Sequence, residues 1–318
     1  MTIRVVDPGL LTTVQDRGRW GSQSLGVPVA GPMDEVSHSL ANVVVGNPPD
    51  RATLEVTLVG PALEFLADMT FAVTGAEFEM RLDDIPVQMG VAHRAGRGSS
   101  LRFGSRGAGA RAYVGVAGGI DVPLVLGSRS TDLASGFGGL DGRRLCEGDQ
   151  LAVGPRVGRA PRRVSLRPPF PLPEGGSRIR AIAALDYDDP GPRCGDAALA
   201  GFITTRFTLA AESNRMGYRL YGPPVALADE TPVLSAATPF GTVQVPPSGH
   251  PILLMADRQT TGGYARIATV ISADLPVAGQ LGPGDWIRFE LCDRRSAVAA
   301  LIAQQQTLMR VTRCPAKL

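Results

Sequence analysis

The eight residues Asp257-Arg258-Gln259-Thr260-Thr261-Gly262-Gly263-Tyr264 concentrate more chemistry than any other stretch of this 318-residue chain. They follow an apolar run at 251–256 that reads as a buried strand, and a second apolar run follows at 267–271. A strand that ends in charged, amide and hydroxyl side chains builds a polar site at a sheet edge. The two glycines admit positive φ and bring backbone N–H groups close to a ligand. Arg258 suits an anion, while Thr260, Thr261 and the amides of Gly262 and Gly263 suit a carbonyl that gains negative charge. A plainer alternative is an Asp257–Arg258 salt bridge that closes a tight hairpin. The Pro-Pro-Ser-Gly loop at 246–249, with Gln244 and His250 at its edges, would wall the same pocket.

Three further clusters carry polar groups. Gln15, Asp16, Arg17 and Arg19 follow an apolar run at 10–14, so Arg17 could grip a carboxylate or phosphate bidentately with Asp16 orienting it, or could form a surface ion pair. Asn214, Arg215 and Tyr218 could donate to a substrate, Arg215 most of all, although Asn214 and Gly217 also suit a turn. The stretch 26–34 leads into a helix whose N-terminal N–H groups could hold an anion; Asp34 as N-cap would satisfy them itself, and Gly31 is a candidate for close approach. No Ser-His-Asp ordering, P-loop or G-x-S-x-G is present, so no self-sufficient hydrolase is visible.

The elements that must position these groups are mostly short strands. Gly (39) and Pro (26) punctuate β-rich runs at 54–59, 70–74, 112–116, 179–184, 243–246 and 286–291, a pattern of barrels or sandwiches rather than βαβ units. Two helices stand out: one capped by Asp34 and stopped at Gly46, one capped by Asp293. Residues 154–178 are rich in Pro, Arg and Gly and read as a linker between an N-terminal β lobe at 1–153 and a C-terminal lobe with a terminal helix at 179–318. Both lobes approach their end with Leu-x-x-Gly-Asp and an alternating strand, at 145–153 and 281–289, which suggests two related barrels.

Composition excludes several functions. A net charge of +2 argues against a dedicated nucleic-acid binder. Lys317 is the only lysine among 32 basic residues, and its position does not suit a P-loop, a Schiff base or an internal biotin attachment site. Cys146, Cys194, Cys292 and Cys314 are scattered, as are His38, His93 and His250, so reduced thiols and no metal site are expected. The N-terminus lacks the apolar core of a signal peptide and no run approaches membrane-spanning length, so a soluble, cytoplasmic chain is expected.

A resemblance covers nearly the whole chain. GLLTTVQDRGR at 9–19, GVPVAGPMD at 26–34, LANVVVGNP at 40–48, LEVTLVGP at 54–61, FAVTGAE at 71–77, RAYVGVAGGIDVPLVLGSRST at 111–131, GFGGLDGRRL at 136–145, SNRMGYRL at 213–220 and residues 241–276 resemble the KipA/PxpC family. It is also called the allophanate hydrolase subunit 2-like or biotin-dependent carboxyltransferase A-B domain family. The resemblance implies a mainly β fold of two cyclophilin-like barrel lobes with a few short helices.

The stand-alone length resembles the PxpC-type subunit of a prokaryotic ATP-dependent 5-oxoprolinase, active only with a KipI/PxpB-like subunit and a LamB/YcsF (PxpA)-like subunit, which opens 5-oxoproline to L-glutamate. ATP would be bound mainly by a partner. The same family includes the carboxyltransferase part of urea carboxylases and a KipA-like regulator that antagonises a KipI-like kinase inhibitor. In the 5-oxoprolinase setting, Arg258 or Arg215 would hold the substrate carboxylate. Asp257 would orient Arg258, and Thr260, Thr261, Gly262 and Gly263 would hold the activated carbonyl, with Asn214, Gln244, Tyr264 and Arg17 as further substrate contacts. Three positions depart from the family pattern: Ala236 in place of Glu, His250 in place of Gln, and Arg266 in place of Lys. If a Glu at 236 were catalytic, its loss would put activity in doubt, and that loss would equally suit a regulatory member.

Overall fold

The computed structural model describes residues 1–157, 160–161, 165–184, 196–227 and 234–313, with side chains to residue 310. Cys194, Cys314, Lys317 and part of the Pro/Arg-rich stretch lie outside the described residues. The chain divides into two compact units. One comprises residues 1–20, 30–172 and the chain from Thr307; the other comprises residues 21–29 and 173–306.

The first unit contains β1 (Thr2–Asp7), β2 (Leu11–Gln15), β3 (Thr53–Thr57), β4 (Ala62–Phe65), β5 (Met69–Gly75), β6 (Phe78–Leu82), β7 (Ile85–Pro86), β8 (His93–Ala95), β9 (Ser100–Arg106), β10 (Arg111–Val116) and β11 (Gln150–Ala152). They form a six-stranded sheet, β11-β1-β4-β9-β6-β7, and a five-stranded sheet, β2-β3-β10-β5-β8. Alternate residues of both sheets, such as Ile3, Phe65, Val14, Leu54, Phe71 and Val114, share one buried core. Phe65 and Phe71 stack within it at 5.0 Å between centroids.

Helix α1 (Glu35–Val45) begins where its sequence says it should. Asp34 accepts a hydrogen bond from the Ser37 N–H at 2.9 Å, and Gly46 ends the helix in the left-handed region. Gly115 on β10 permits close approach of this helix, because a Cβ there would lie 2.7 Å from the Ala41 carbonyl oxygen.

The second unit contains β12 (Gly176–Ala183), β13 (Arg206–Leu209), β14 (Gly217–Tyr221), β15 (Ala236–Ala237), β16 (Thr242–Val245), β17 (Ile252–Leu254), β18 (Thr261–Gly262), β19 (Ala265–Val270) and β20 (Trp286–Leu291). Seven of these strands close a barrel in the order β12-β19-β16-β17-β14-β13-β20. Closure comes from a parallel pair, with Gly176 opposite Trp286 and Ala181 opposite Leu291. Helix α2 (Asp196–Thr204) contributes Phe202, which stacks on Phe289 at 4.5 Å between centroids and lies 5.6 Å from Phe207. A short helix α3 (Leu275–Gly279) and a long α4 (Arg294–Arg313) follow, and the Asp293 carboxylate accepts from the Ser296 N–H at 2.7 Å.

The Leu-x-x-Gly-Asp turns adopt one geometry in both units. Gly148 and Gly284 have φ of 86° and 87°, and the Asp149 and Asp285 carboxylates accept from the N–H three residues back, at 2.7 and 2.8 Å. The mainly β expectation is met. Among the described residues, no helix is long and apolar enough to cross a membrane.

Candidate functional site

The 257–264 string leaves the end of β17 and enters β18, a two-stranded ribbon with β15. Antiparallel pairing of β14 with β17 places Gly217 opposite Leu254. The turn before β14 therefore lies beside the residues that follow β17. Met255 and Asp257 donate their backbone N–H groups to the carbonyls of Met216 and Arg215, each at 2.9 Å. This brings Arg215 onto Asp257, 42 residues away, in a bidentate ion pair: Nε to Oδ2 at 2.8 Å and Nη2 to Oδ1 at 2.7 Å. Both side chains are buried, at 3% and 2% exposure, so the two charges compensate each other within the protein.

Arg258 is differently placed. Its Nε donates to the Thr238 carbonyl at 2.8 Å, and the guanidinium carbon lies 5.5 Å from the Phe240 ring centre. It belongs to no ion pair among the described residues. Burial lowers its pKa to about 10, opposed by the charge of Asp257. A half-buried guanidinium with no carboxylate in contact among the described residues has the chemistry to take an anion, because an incoming carboxylate would restore the lost solvation.

Gln244 on β16 is buried, and its Nε2 has no hydrogen-bond partner among the described residues. Leaving such a donor unmade costs about 1–3 kcal/mol. Gly262 makes room for it: a Cβ at 262 would lie 2.5 Å from Gln244 Nε2, 3.0 Å from Thr238 Cγ2 and 3.1 Å from Gln259 Nε2. Thr238 ties the cluster together. Its N–H donates to the Thr260 carbonyl at 3.0 Å, its hydroxyl donates to the Gln259 carbonyl, and its own carbonyl holds Arg258. Arg258, Gln244, Gln259, Thr238 and Gly262 thus form one polar cluster on the second unit. Thr238 and Phe240 had no signal in the sequence beyond their nearness to the polar string.

The remaining sequence candidates fall into distinct places. Asp257 is held by Arg215 in a bidentate pair and does not form the Asp257–Arg258 bridge. Asn214 makes a turn, its side-chain oxygen accepting from Met216 N–H at 2.9 Å. Thr261 and Gly262 pair with Ala237 and Ala236, so part of their backbone is engaged in the ribbon. Gly263 lies just beyond the ribbon, Thr260 is half-buried and Tyr264 is exposed. Ala236, one of the departures from the family pattern, sits directly opposite Gly262. Arg17 is on the first unit, exposed, and paired with Glu35 at 2.5 Å. Gly31 packs against the backbone of Arg17 and Gly18, where a Cβ would meet atoms at 3.3 Å.

A second polar assembly gathers Gln15, Asp16 and Asp34 of the sequence clusters with Glu55, Tyr113 and Thr53, which carried no signal of their own. On the first unit, Thr13 and Gln15 of β2 lie opposite Glu55 and Thr53 of β3, and Tyr113 of β10 lies opposite Glu55. This face of the sheet is polar yet buried. Glu55 accepts from the Met33 N–H and the Tyr113 hydroxyl, both at 2.8 Å, while the Asp34 N–H donates to the Tyr113 oxygen at 2.8 Å. Burial, with the charges of Glu55 and Asp34, raises the Tyr113 pKa well above its ordinary value. His38 Nδ1 pairs with the Thr53 hydroxyl at 2.9 Å, and burial lowers its pKa to about 4. Asp16 accepts from Ser128 and Ser130 hydroxyls and the Arg129 N–H at 2.5–2.7 Å, and anchors the loop at 128–130. These contacts hold the entry to α1 and the loops around it.

The closed barrel and two antiparallel-paired sheets define a mainly β protein, with the polar cluster on its second unit. Residues 25–291 match the carboxyltransferase domain family, subdomain A and B, and the chain belongs to that family. It is 40% identical over 304 residues to the C-type subunit of 5-oxoprolinase from Escherichia coli K12, covering 96% of each chain. It is 33% identical to the urea amidolyase of Lachancea kluyveri, covering 90% of this chain and 16% of that one. The solved structure of Kluyveromyces lactis urea carboxylase superposes with a TM-score of 0.89 at 30% identity, covering all of this chain and 30% of that one. The chain therefore spans nearly the full length of the bacterial relative and less than a third of the urea carboxylase.

Proposed function

We propose that this chain is the PxpC-type subunit of an ATP-dependent 5-oxoprolinase, and that Arg258 holds the carboxylate of 5-oxoproline. The observation that carries the reading is the half-buried Arg258 guanidinium with no carboxylate in contact among the described residues, in a chain that matches a 5-oxoprolinase component over 96% of both lengths. Opening the lactam requires the amide oxygen to carry negative charge while water adds to the carbonyl carbon and the C–N bond breaks, the nitrogen leaving with a proton as the amine of glutamate. Hydrogen-bond donors aimed at that oxygen lower the barrier, and one such donor is worth about 3 kcal/mol. Thr260, the Thr261 hydroxyl and the Gly263 N–H, all within five residues after Arg258, are the donors proposed for that oxygen. Asp257, neutralised by Arg215, fixes the backbone from which Arg258 projects.

ATP supplies the activation of the amide oxygen. A partner protein binds it, since this chain has neither a P-loop nor a lysine before residue 317. The complex would include a KipI/PxpB-like and a LamB/YcsF-like subunit. The test is glutamate release from 5-oxoproline and ATP by the three chains together and with this chain omitted. Turnover that needs all three, and that falls at least tenfold in Arg258→Ala, supports the reading. Wild-type turnover in Arg258→Ala removes Arg258 from the site.

A second reading, carboxyl transfer in a urea-type carboxylase, is supported by the superposition on urea carboxylase over the whole chain. It predicts that activity requires a biotinylated partner.

A further inference from the structure

We infer that Gln244 is the residue that selects the substrate class, by pairing its carboxamide with the cis-amide edge of a lactam or a urea. The inference rests on the reading of the chain as a 5-oxoprolinase component and adds to it which edge of the substrate is read. Gln244 is 1% exposed, and its carboxamide Nε2 has no hydrogen-bond partner among the described residues. The neighbouring strand carries glycine at 262, where any Cβ would strike Gln244 Nε2. A buried carboxamide normally has partners. One whose donor is kept without a partner, with a glycine making space for it, is matched to a group that arrives from outside.

A primary carboxamide presents one donor and one acceptor in a single plane. A trans amide cannot satisfy both at once, because its N–H and C=O point in opposite directions. A five-membered lactam is held cis, so its N–H and C=O lie on one edge and can form two parallel hydrogen bonds with the carboxamide. Urea presents an equivalent edge. The shared edge accounts for one site architecture serving relatives named for 5-oxoproline and for urea. Gln259 lies over the same place, its Nε2 3.1 Å from the position of a Cβ at Gly262, and its side chain is exposed. It is a cover that the substrate displaces to reach Gln244. Arg258, joined to the cluster through the Thr238 carbonyl, then takes the carboxylate that 5-oxoproline carries and urea lacks.

The test uses the assembled complex with wild-type chain and with Gln244→Leu, and reads both turnover and ligand binding by calorimetry. The probes are 5-oxoproline, N-methyl-5-oxoproline, whose cis edge is blocked, and urea. Gln244→Leu is expected to melt no lower than wild type, because it removes an unsatisfied buried group, while KM for 5-oxoproline rises at least tenfold and kcat changes far less. Wild type is expected to prefer 5-oxoproline to its N-methyl form by tenfold or more, and the variant to lose that preference. An unchanged KM and an unchanged preference in an active complex would overturn the role of Gln244 and leave the 5-oxoprolinase reading standing. Binding of urea but not 5-oxoproline, lost in Gln244→Leu, would keep the role of Gln244 and overturn the 5-oxoprolinase reading. A wild-type complex that neither turns over nor binds any of the three would overturn both.

Discussion

The Arg215–Asp257 pair allows a sharp test of what holds the site. Its two charge-assisted hydrogen bonds, at 2.8 and 2.7 Å, join side chains that are almost wholly out of water. Arg215→Met leaves the Asp257 carboxylate buried without its counter-charge, and Asp257→Ala leaves the guanidinium in the same position. Each single change should cost about 3–5 kcal/mol, because an unpaired buried charge is far more costly than a missing pair. In the double variant neither charge remains to be stranded, so its loss should resemble that of one single change. The expected coupling is about 3 kcal/mol, at the upper end for residues in direct contact. Urea unfolding of the four proteins, with m-values compared to exclude a change in the unfolded state, measures it. Additivity within about 0.5 kcal/mol would show that the pair is solvated or dispensable, and the claim that Asp257 is neutralised by Arg215 would fall.

Other outcomes follow from the same geometry. His38 is held neutral by burial, with a folded pKa of about 4 against an ordinary 6.5. As pH falls the unfolded chain takes the proton first, so stability should be intact above about pH 6.5 and decline by up to about 3 kcal/mol towards pH 4. His38→Gln should flatten that part of the urea-unfolding profile. Gly262→Ala should displace Gln244, whose Nε2 is 2.5 Å from the new methyl position, raising KM for 5-oxoproline while the barrel still folds by circular dichroism. Gly115→Ala should push α1 off its sheet and cost about 1–3 kcal/mol in thermal unfolding, with no direct effect on substrate binding.

Much of the fold was legible because local signals agreed with the global arrangement. The Asp34 and Asp293 caps fixed two helix starts, and Gly46 fixed a helix end. Helix α2 was not legible: its sequence is apolar on most sides and only Phe202 is buried, so no 3.6-residue stripe marks it. Helix α3 is five residues long and begins at a Leu-Pro pair that reads as a break.

The polar string at 257–264 was visible from residue types, but its pairing was not. Arg215 reaches Asp257 only because β14 and β17 are hydrogen-bonded neighbours, a fact of register that no local pattern carries. The polar face of β2 and β3 misleads in another way. Thr13, Gln15, Thr53 and Glu55 alternate with Val14, Leu54 and Val56 as they would on a solvent-facing strand, yet every one of them is buried.

The parallel closure of the barrel has a consequence for how this chain is made. Its first strand starts at Gly176 and must wait for Trp286, 110 residues later, before the ring can close. Until then both flanking edges offer unpaired backbone groups, and the loop that must be closed is long enough to make closure slow. During synthesis the two-sheet unit, whose strands end by Ala152, can collapse while the barrel is still an open ribbon. The nascent second unit is therefore the vulnerable stage. Aggregation on overproduction should respond to temperature and translation rate more than to mutations in the first unit.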